Sequence, residues 1–169
     1  YQQLLKLGAI SLTDMAHYLV LDADTVFISD QVFEYKNLIL LDCSDEHHRP
    51  YFDFIERTLD FETKCPVSFV SHHSLIRKCL LQDLQKRLEN KYNCFWYEAI
   101  INNIDQNQLS SFSEYETYGH FIYKHHRSQV YVEYWSNESI SRRDIVRLDE
   151  LKKIFSKVRK SLSFHSYNR

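Results

Sequence analysis

The sequence predicts an α/β protein, and three observations carry that prediction. An apolar run, Tyr18 to Leu21, ends abruptly in two carboxylates, Asp22 and Asp24. Further short runs, Pro66 to Val70 and Gln129 to Trp135, read as strands, while stripes of apolar residues at helical spacing lie between and after them. The 169 residues show no shift in composition, so they predict one domain, 1–169, with a core of its own.

Taken in order, the chain opens on Gln2 to Leu7, whose apolar residues keep helical spacing, with Gly8 able to end or interrupt the helix. The strand Tyr18 to Leu21 follows. With its two-residue side-chain period, Asp22 and Asp24 can point to one side at its carboxyl end, where open α/β sheets bind their ligands. Two hard oxygen ligands suit Mg²⁺ or Mn²⁺; the alternative is that either Asp caps the next turn. A short apolar run, Asn37 to Leu41, leads to a polar loop, Asp45 to Pro50, whose His47 and His48 read as solvated rather than as ligands. Tyr51 to Leu59 looks like a short helix.

The second strand, Pro66 to Val70, ends in Ser71-His72-His73-Ser74, and a helical stripe from Leu75 runs to Asn90. That arrangement puts His72 and His73 beside a helix N-terminus, where neutral imidazoles can donate to phosphate or sugar hydroxyls. A capping turn on Ser71 or Ser74 explains the same residues. Phe95 to Ile101 is a further helical stretch. Two overlapping capping boxes then begin a helix, Ser111 with Glu114 and Ser113 with Glu116, of which only one can be used. Spacing alone favours capping for both glutamates. If the Ser113 box is used, Glu114 is left in the first turn, where the helix dipole keeps it ionised as a general base requires.

Gln129 to Trp135 is a strand, Leu148 to Val158 an amphipathic helix with a solvated basic face, and Ser161 to Phe164 a last strand delivering His165. Bulk properties narrow the function. A net charge of -2 recruits neither nucleic acid nor an anionic membrane. With only Gly8 and Gly119, the chain excludes glycine-rich phosphate loops. Cys43, Cys65, Cys79 and Cys94 lack metal-type pairing and read as reduced, packed thiols of a cytoplasmic protein. No run reaches transmembrane length, so any membrane association is peripheral.

The ordered set of Tyr18 to Phe27, Ser71 to Ser74 and Ser113 to Gly119 resembles a little-characterised family of GT-A-type glycosyltransferases. Residues 2–7 are similar to the helix such proteins place ahead of their DxD strand. The resemblance implies a Rossmann-like sheet, incomplete at its N-terminal side, that binds a nucleotide-sugar donor through Mn²⁺ or Mg²⁺. It implies Asp22 and Asp24 as metal ligands, His165 as a loosely matched third, and Glu114 or Glu116 as the base acting on a glycan or other hydroxyl acceptor. His72 or His73 then orients the diphosphate or the acceptor.

Two rivals stand beside it. Asp22-Ala23-Asp24-Thr25-Val26 also fits the nucleophile motif of haloacid-dehalogenase-like phosphatases, with Asp22 as nucleophile and Asp24 as acid/base. That family's later Gly-Asp motif is missing, since neither glycine precedes an Asp. The other rival is a non-catalytic assembly domain, whose sheet surface, lacking earlier βα units, is apolar and prone to self-association.

Overall fold

The computed structural model describes residues 1–63 and 67–166. Cys65 and Pro66 lie outside the described residues; of the second strand expected from Pro66 to Val70, residues 67–70 form only an isolated bridge, Ser68 with Ser44.

The described residues fold as a mixed α/β structure with three small sheets. Helix α1 (Gln2–Gly8) and a 3₁₀ turn lead into β1 (His17–Leu21), followed by β2 (Thr25–Phe27). A tight hairpin joins β3 (Glu34–Tyr35) to β4 (Leu38–Cys43). Its two turn residues, Lys36 and Asn37, have φ of 49° and 64°, the backbone that a two-residue hairpin requires for its twist to match the strands. Then come α2 (Arg49–Leu59), β5 (His73–Arg77), α3 (Lys78–Tyr92), α4 (Trp96–Asn103) and α5 (Glu114–His125). The chain finishes with β6 (Val130–Tyr134), β7 (Asn137–Ser141), a 3₁₀ segment at Arg142–Arg147, α6 (Leu148–Phe155) and β8 (Ser161–His165).

β1 pairs antiparallel with β5. β4 lies between β3 and β6, antiparallel to the first and parallel to the second. β8 lies between β2 and β7, again one antiparallel and one parallel partner. The large core buries Ile39 and Leu41 of β4, Phe54 and Ile55 of α2, Leu81 and Leu84 of α3, and Tyr118 and Phe121 of α5. A smaller cluster under α6 holds Leu151, Leu162 and Phe164. Close packing of α5 depends on Gly119, because a Cβ there would lie 2.6 Å from the Phe69 side chain. No helix among the described residues is long and apolar enough to cross a membrane.

Several expectations are corrected. The stripe from Leu75 is not helical throughout: Leu75 and Ile76 belong to β5, and the helix begins only at Lys78. The backbone of β1 needs a partner, and Leu75 and Ile76, both buried, fit a strand as well as a helix face. His72 and His73 therefore sit at the start of a strand, not beside a helix N-terminus. Asn137–Ser141, not anticipated as a strand, lies alongside β8. Cys79 is exposed rather than packed. On β1, Leu19 and Leu21 are 40% exposed, and the strand has no second neighbour among the described residues.

Candidate active site

Two backbone junctions bring the site together. The β1–β5 ladder continues one step past its last pair, where Asp22 N–H donates to His72 C=O at 2.9 Å. At the end of the β2–β8 ladder, Phe164 N–H donates to Asp24 C=O at 2.8 Å, so His165 follows directly beside Asp24. Helix α1 is tied to the segment before α5 by Gln3 Nε2 donating to Phe112 C=O at 2.9 Å. A cleft of about 750 Å³ results, with Lys6, Asp22, Asp24, His72, Glu114 and His165 among its walls.

Lys6 is the hub of one side. Its ammonium bonds both Asp22 and Glu114, the latter at 2.5 Å, and also donates to Tyr115 Oη at 3.1 Å. Tyr115 in turn donates to Asp22 Oδ1 at 2.7 Å. The second Asp22 oxygen faces His72 Nδ1 at 3.3 Å, and the other nitrogen of that ring is 3.3 Å from Glu46. Burial acts to raise the Asp22 pKa, but hydrogen bonds from His72, Lys6 and Tyr115 outweigh it and hold the carboxyl at about 2. Burial likewise acts against the His72 cation, yet Asp22 and Glu46 overcome it and push the imidazole up to about 9. His72 is thus an imidazolium at neutral pH, the reverse of the neutral ring expected beside a helix N-terminus. Its φ of 64° is a conformation that costs most residues about 1–2 kcal/mol. Such strain at a cleft is where a functional role is worth seeking.

These two shifts predict a pH dependence with a definite sign. The His72 contribution to stability is complete below its ordinary 6.5 and is lost as pH rises towards about 9. The Asp22 contribution is complete above its ordinary 3.8 and is lost as pH falls towards about 2. Melting temperature measured from about pH 6 to about pH 9.5 should therefore decline in the parent, and the decline should flatten in His72→Asn. An unchanged slope in that variant assigns the pH dependence elsewhere.

The ring of the neighbouring His73 lies in the core instead. It is buried, with Nε2 2.9 Å from Asp42 and Nδ1 2.8 Å from Ser71 C=O, against the rings of Phe27, Phe33 and Trp135. It does not line the cleft. Burial raises the Asp42 pKa, with His73 acting the other way.

The two glutamates also part. Ser113 is the N-cap of α5, accepting from Glu116 N–H at 3.3 Å, so of the two boxes the Ser113 position is the one used. Ser111 instead bonds Asp105 in the preceding loop. Glu114 then occupies the first turn and faces the cleft. Burial raises its pKa, with Lys6 pulling it back, so the helix terminus does not decide its titration as anticipated. A more basic carboxylate suits proton abstraction better. Glu116 is wholly buried and does not reach back to the cap. It accepts from Ser68 Oγ at 2.5 Å and Phe69 N–H at 2.9 Å, with His120 Nε2 3.2 Å away, and so fixes the segment that leads to His72.

Asp24 is 44% exposed, and its Oδ2 lies 3.3 Å from His165 Nδ1. Among the described residues no group of three or more His, Cys, Asp or Glu side chains is placed to hold a metal. A carboxylate and an imidazole provide two ligands, a fit for Mg²⁺ or Mn²⁺ only where phosphate and water complete the shell. Asp22, committed to Lys6, Tyr115 and His72, lies beside that pair. Sequence reasoning missed Lys6 and Tyr115, although both lie within stretches already singled out.

Residues 1–164 match the model of DUF6492, a family of unknown function. The chain belongs to this family. No curated protein and no solved structure matches it. Membership in DUF6492 takes in every residue of the cleft up to Phe164 and ends one short of His165.

Proposed function

We propose that this member of DUF6492 is a metal-dependent glycosyltransferase with a Rossmann-like GT-A fold, moving a sugar from a nucleotide-sugar donor to a hydroxyl acceptor. The observation that carries the reading is the convergence of Asp24 and His165 with Lys6, His72 and Glu114 in one cleft of about 750 Å³. The volume falls within the usual range for small-molecule sites. Asp24 and His165 would hold the Mn²⁺ or Mg²⁺, which supplies positive charge for the diphosphate leaving group. The His72 imidazolium and Arg142, which also lines the cleft, add fixed positive charge for phosphate oxygens. Lys6 restrains Asp22 and Glu114, neutralising part of their charge beside an anionic donor. Glu114 takes the proton from the acceptor hydroxyl as that oxygen bonds to the anomeric carbon and the nucleoside diphosphate departs. Glu116 and His73 have no contact with substrate in this scheme; each supports the segment that carries His72.

The phosphatase alternative asks Asp22 to act as nucleophile, yet both of its oxygens are engaged by donors. An assay of the native open reading frame separates the two. Incubation with a panel of nucleotide sugars and Mn²⁺ is expected to release nucleoside diphosphate, and an aryl phosphate with Mg²⁺ is expected to remain intact. Robust aryl phosphate turnover without sugar-nucleotide cleavage replaces the transferase with the phosphatase.

A further inference from the structure

A second cavity, of about 280 Å³, lies against the main cleft and shares with it the wall formed by Glu46, Val70, His72 and His165. Its remaining lining differs in chemistry from the cleft. Among the described residues, no lysine or arginine lines it. Asp45 and Glu46 contribute carboxylates, Tyr134 a ring 60% exposed on the rim, and Trp135 a buried floor. Asn137 has its Oδ1 held by Ser161 Oγ at 2.7 Å and Ser163 Oγ at 3.2 Å, which fixes the orientation of its amide group. The Trp135 indole donates to the same Ser161 at 2.8 Å, so floor and wall are locked together.

We propose that this cavity binds one pyranose ring of the saccharide substrate, a deepening that rests on the transferase reading above. Glu46 meets His72 Nε2 at 3.3 Å and Asp45 adds a second carboxylate, so this side of the His72 ring disfavours a phosphate, whereas carboxylates accept hydrogen bonds from neutral hydroxyls without a counter-charge. The Tyr134 ring offers a flat apolar face for the C–H side of a sugar, and the Asn137 amide adds donors. The volume lies just below the ordinary range for drug-sized ligands, which fits one ring rather than a nucleoside with its phosphates. The shared wall of His72 and His165 sets that ring next to Asp24, where the bond between the anomeric carbon and the departing diphosphate is to break.

The chain has two tryptophans, Trp96 and Trp135, and only the second lines the cavity, so the indole N–H signals of the ¹⁵N-labelled full chain supply a probe and its control. Trp96→Phe assigns them. Titration with methyl pyranosides of the gluco, galacto, manno and N-acetylglucosamine series, without metal or nucleotide, forms one arm; nucleotide sugars with Mn²⁺ form the other. The expected result is a saturable shift of the Trp135 signal with Trp96 unmoved. Tyr134→Ala and Asp45→Ala, both surface changes, should weaken the affinity about tenfold or more at an unchanged melting temperature. A response to free pyranosides assigns the cavity to the acceptor ring, and a response to nucleotide sugars alone assigns it to the donor ring. No shift of Trp135 with any of these ligands, or full affinity in Tyr134→Ala, overturns the proposal. Nucleotide-sugar turnover without a Trp135 shift removes the subsite and leaves the transferase standing. Pyranoside binding in a frame that turns over no nucleotide sugar does the reverse.

Discussion

Replacing Asp24 by asparagine is expected to weaken Mn²⁺ binding, measured by calorimetry in the presence of a nucleoside diphosphate, by about 100-fold or more. The reason is the small number of protein ligands. With Asp24 and His165 as the pair at the site, removal of the carboxylate leaves one imidazole, which cannot compete with hydration of a hard cation. The fold should survive, because the Asp24 side chain is 44% exposed. Asp22→Asn is expected to behave differently. That change breaks the network of Lys6, Tyr115 and His72, so the melting temperature falls and the His72 pKa drops from about 9, while Mn²⁺ affinity changes less. Unchanged Mn²⁺ affinity in Asp24→Asn removes the metal from this site. Equal losses in the two variants make Asp22 a ligand as well.

Glu114→Gln should lower transfer by about 10²–10⁴-fold with the fold intact. Lys6 keeps Asp22 and Tyr115 as partners after that change, so little stability is lost. Glu116→Gln should instead destabilise by about 1–3 kcal/mol while folded molecules keep their turnover. A glutamine presents one oxygen where Ser68 Oγ and Phe69 N–H now meet two, and turns an N–H group towards a buried donor. Chemical denaturation and initial rates, each on both variants, separate the two jobs. If Glu116→Gln loses transfer at an equal folded fraction while Glu114→Gln keeps it, the roles exchange. If both keep it, no base lies on α5.

Much of the local order was legible from residue pattern. The helix at Gln2, the strand that ends just before Asp22, a serine-capped start to α5, the strand from Val130 and the last strand carrying His165 all announce themselves through short-range signals: period, capping chemistry and β-branched runs. The stretch Leu75 to Arg77 did not, because two adjacent apolar residues fit either period, and only the unpaired backbone of β1 decides between them. Asn137–Ser141 is polar and becomes a strand through its parallel partner β8.

The site divides the same way. Sequence by itself determined that Asp22 and Asp24 stand at a strand end, and that either Ser111 or Ser113 opens the helix; the fold chose Ser113, which leaves Glu114 in the first turn. Tertiary structure alone decided that Lys6 stands between Asp22 and Glu114, that Asp24 meets His165 across 141 positions of chain, and that the adjacent His72 and His73 face opposite ways. Capping and strand period act over a few residues and are written in spacing. Ion pairs between distant segments depend on how sheets and helices pack, and the positive φ at His72 falls where the chain enters the β1–β5 ladder.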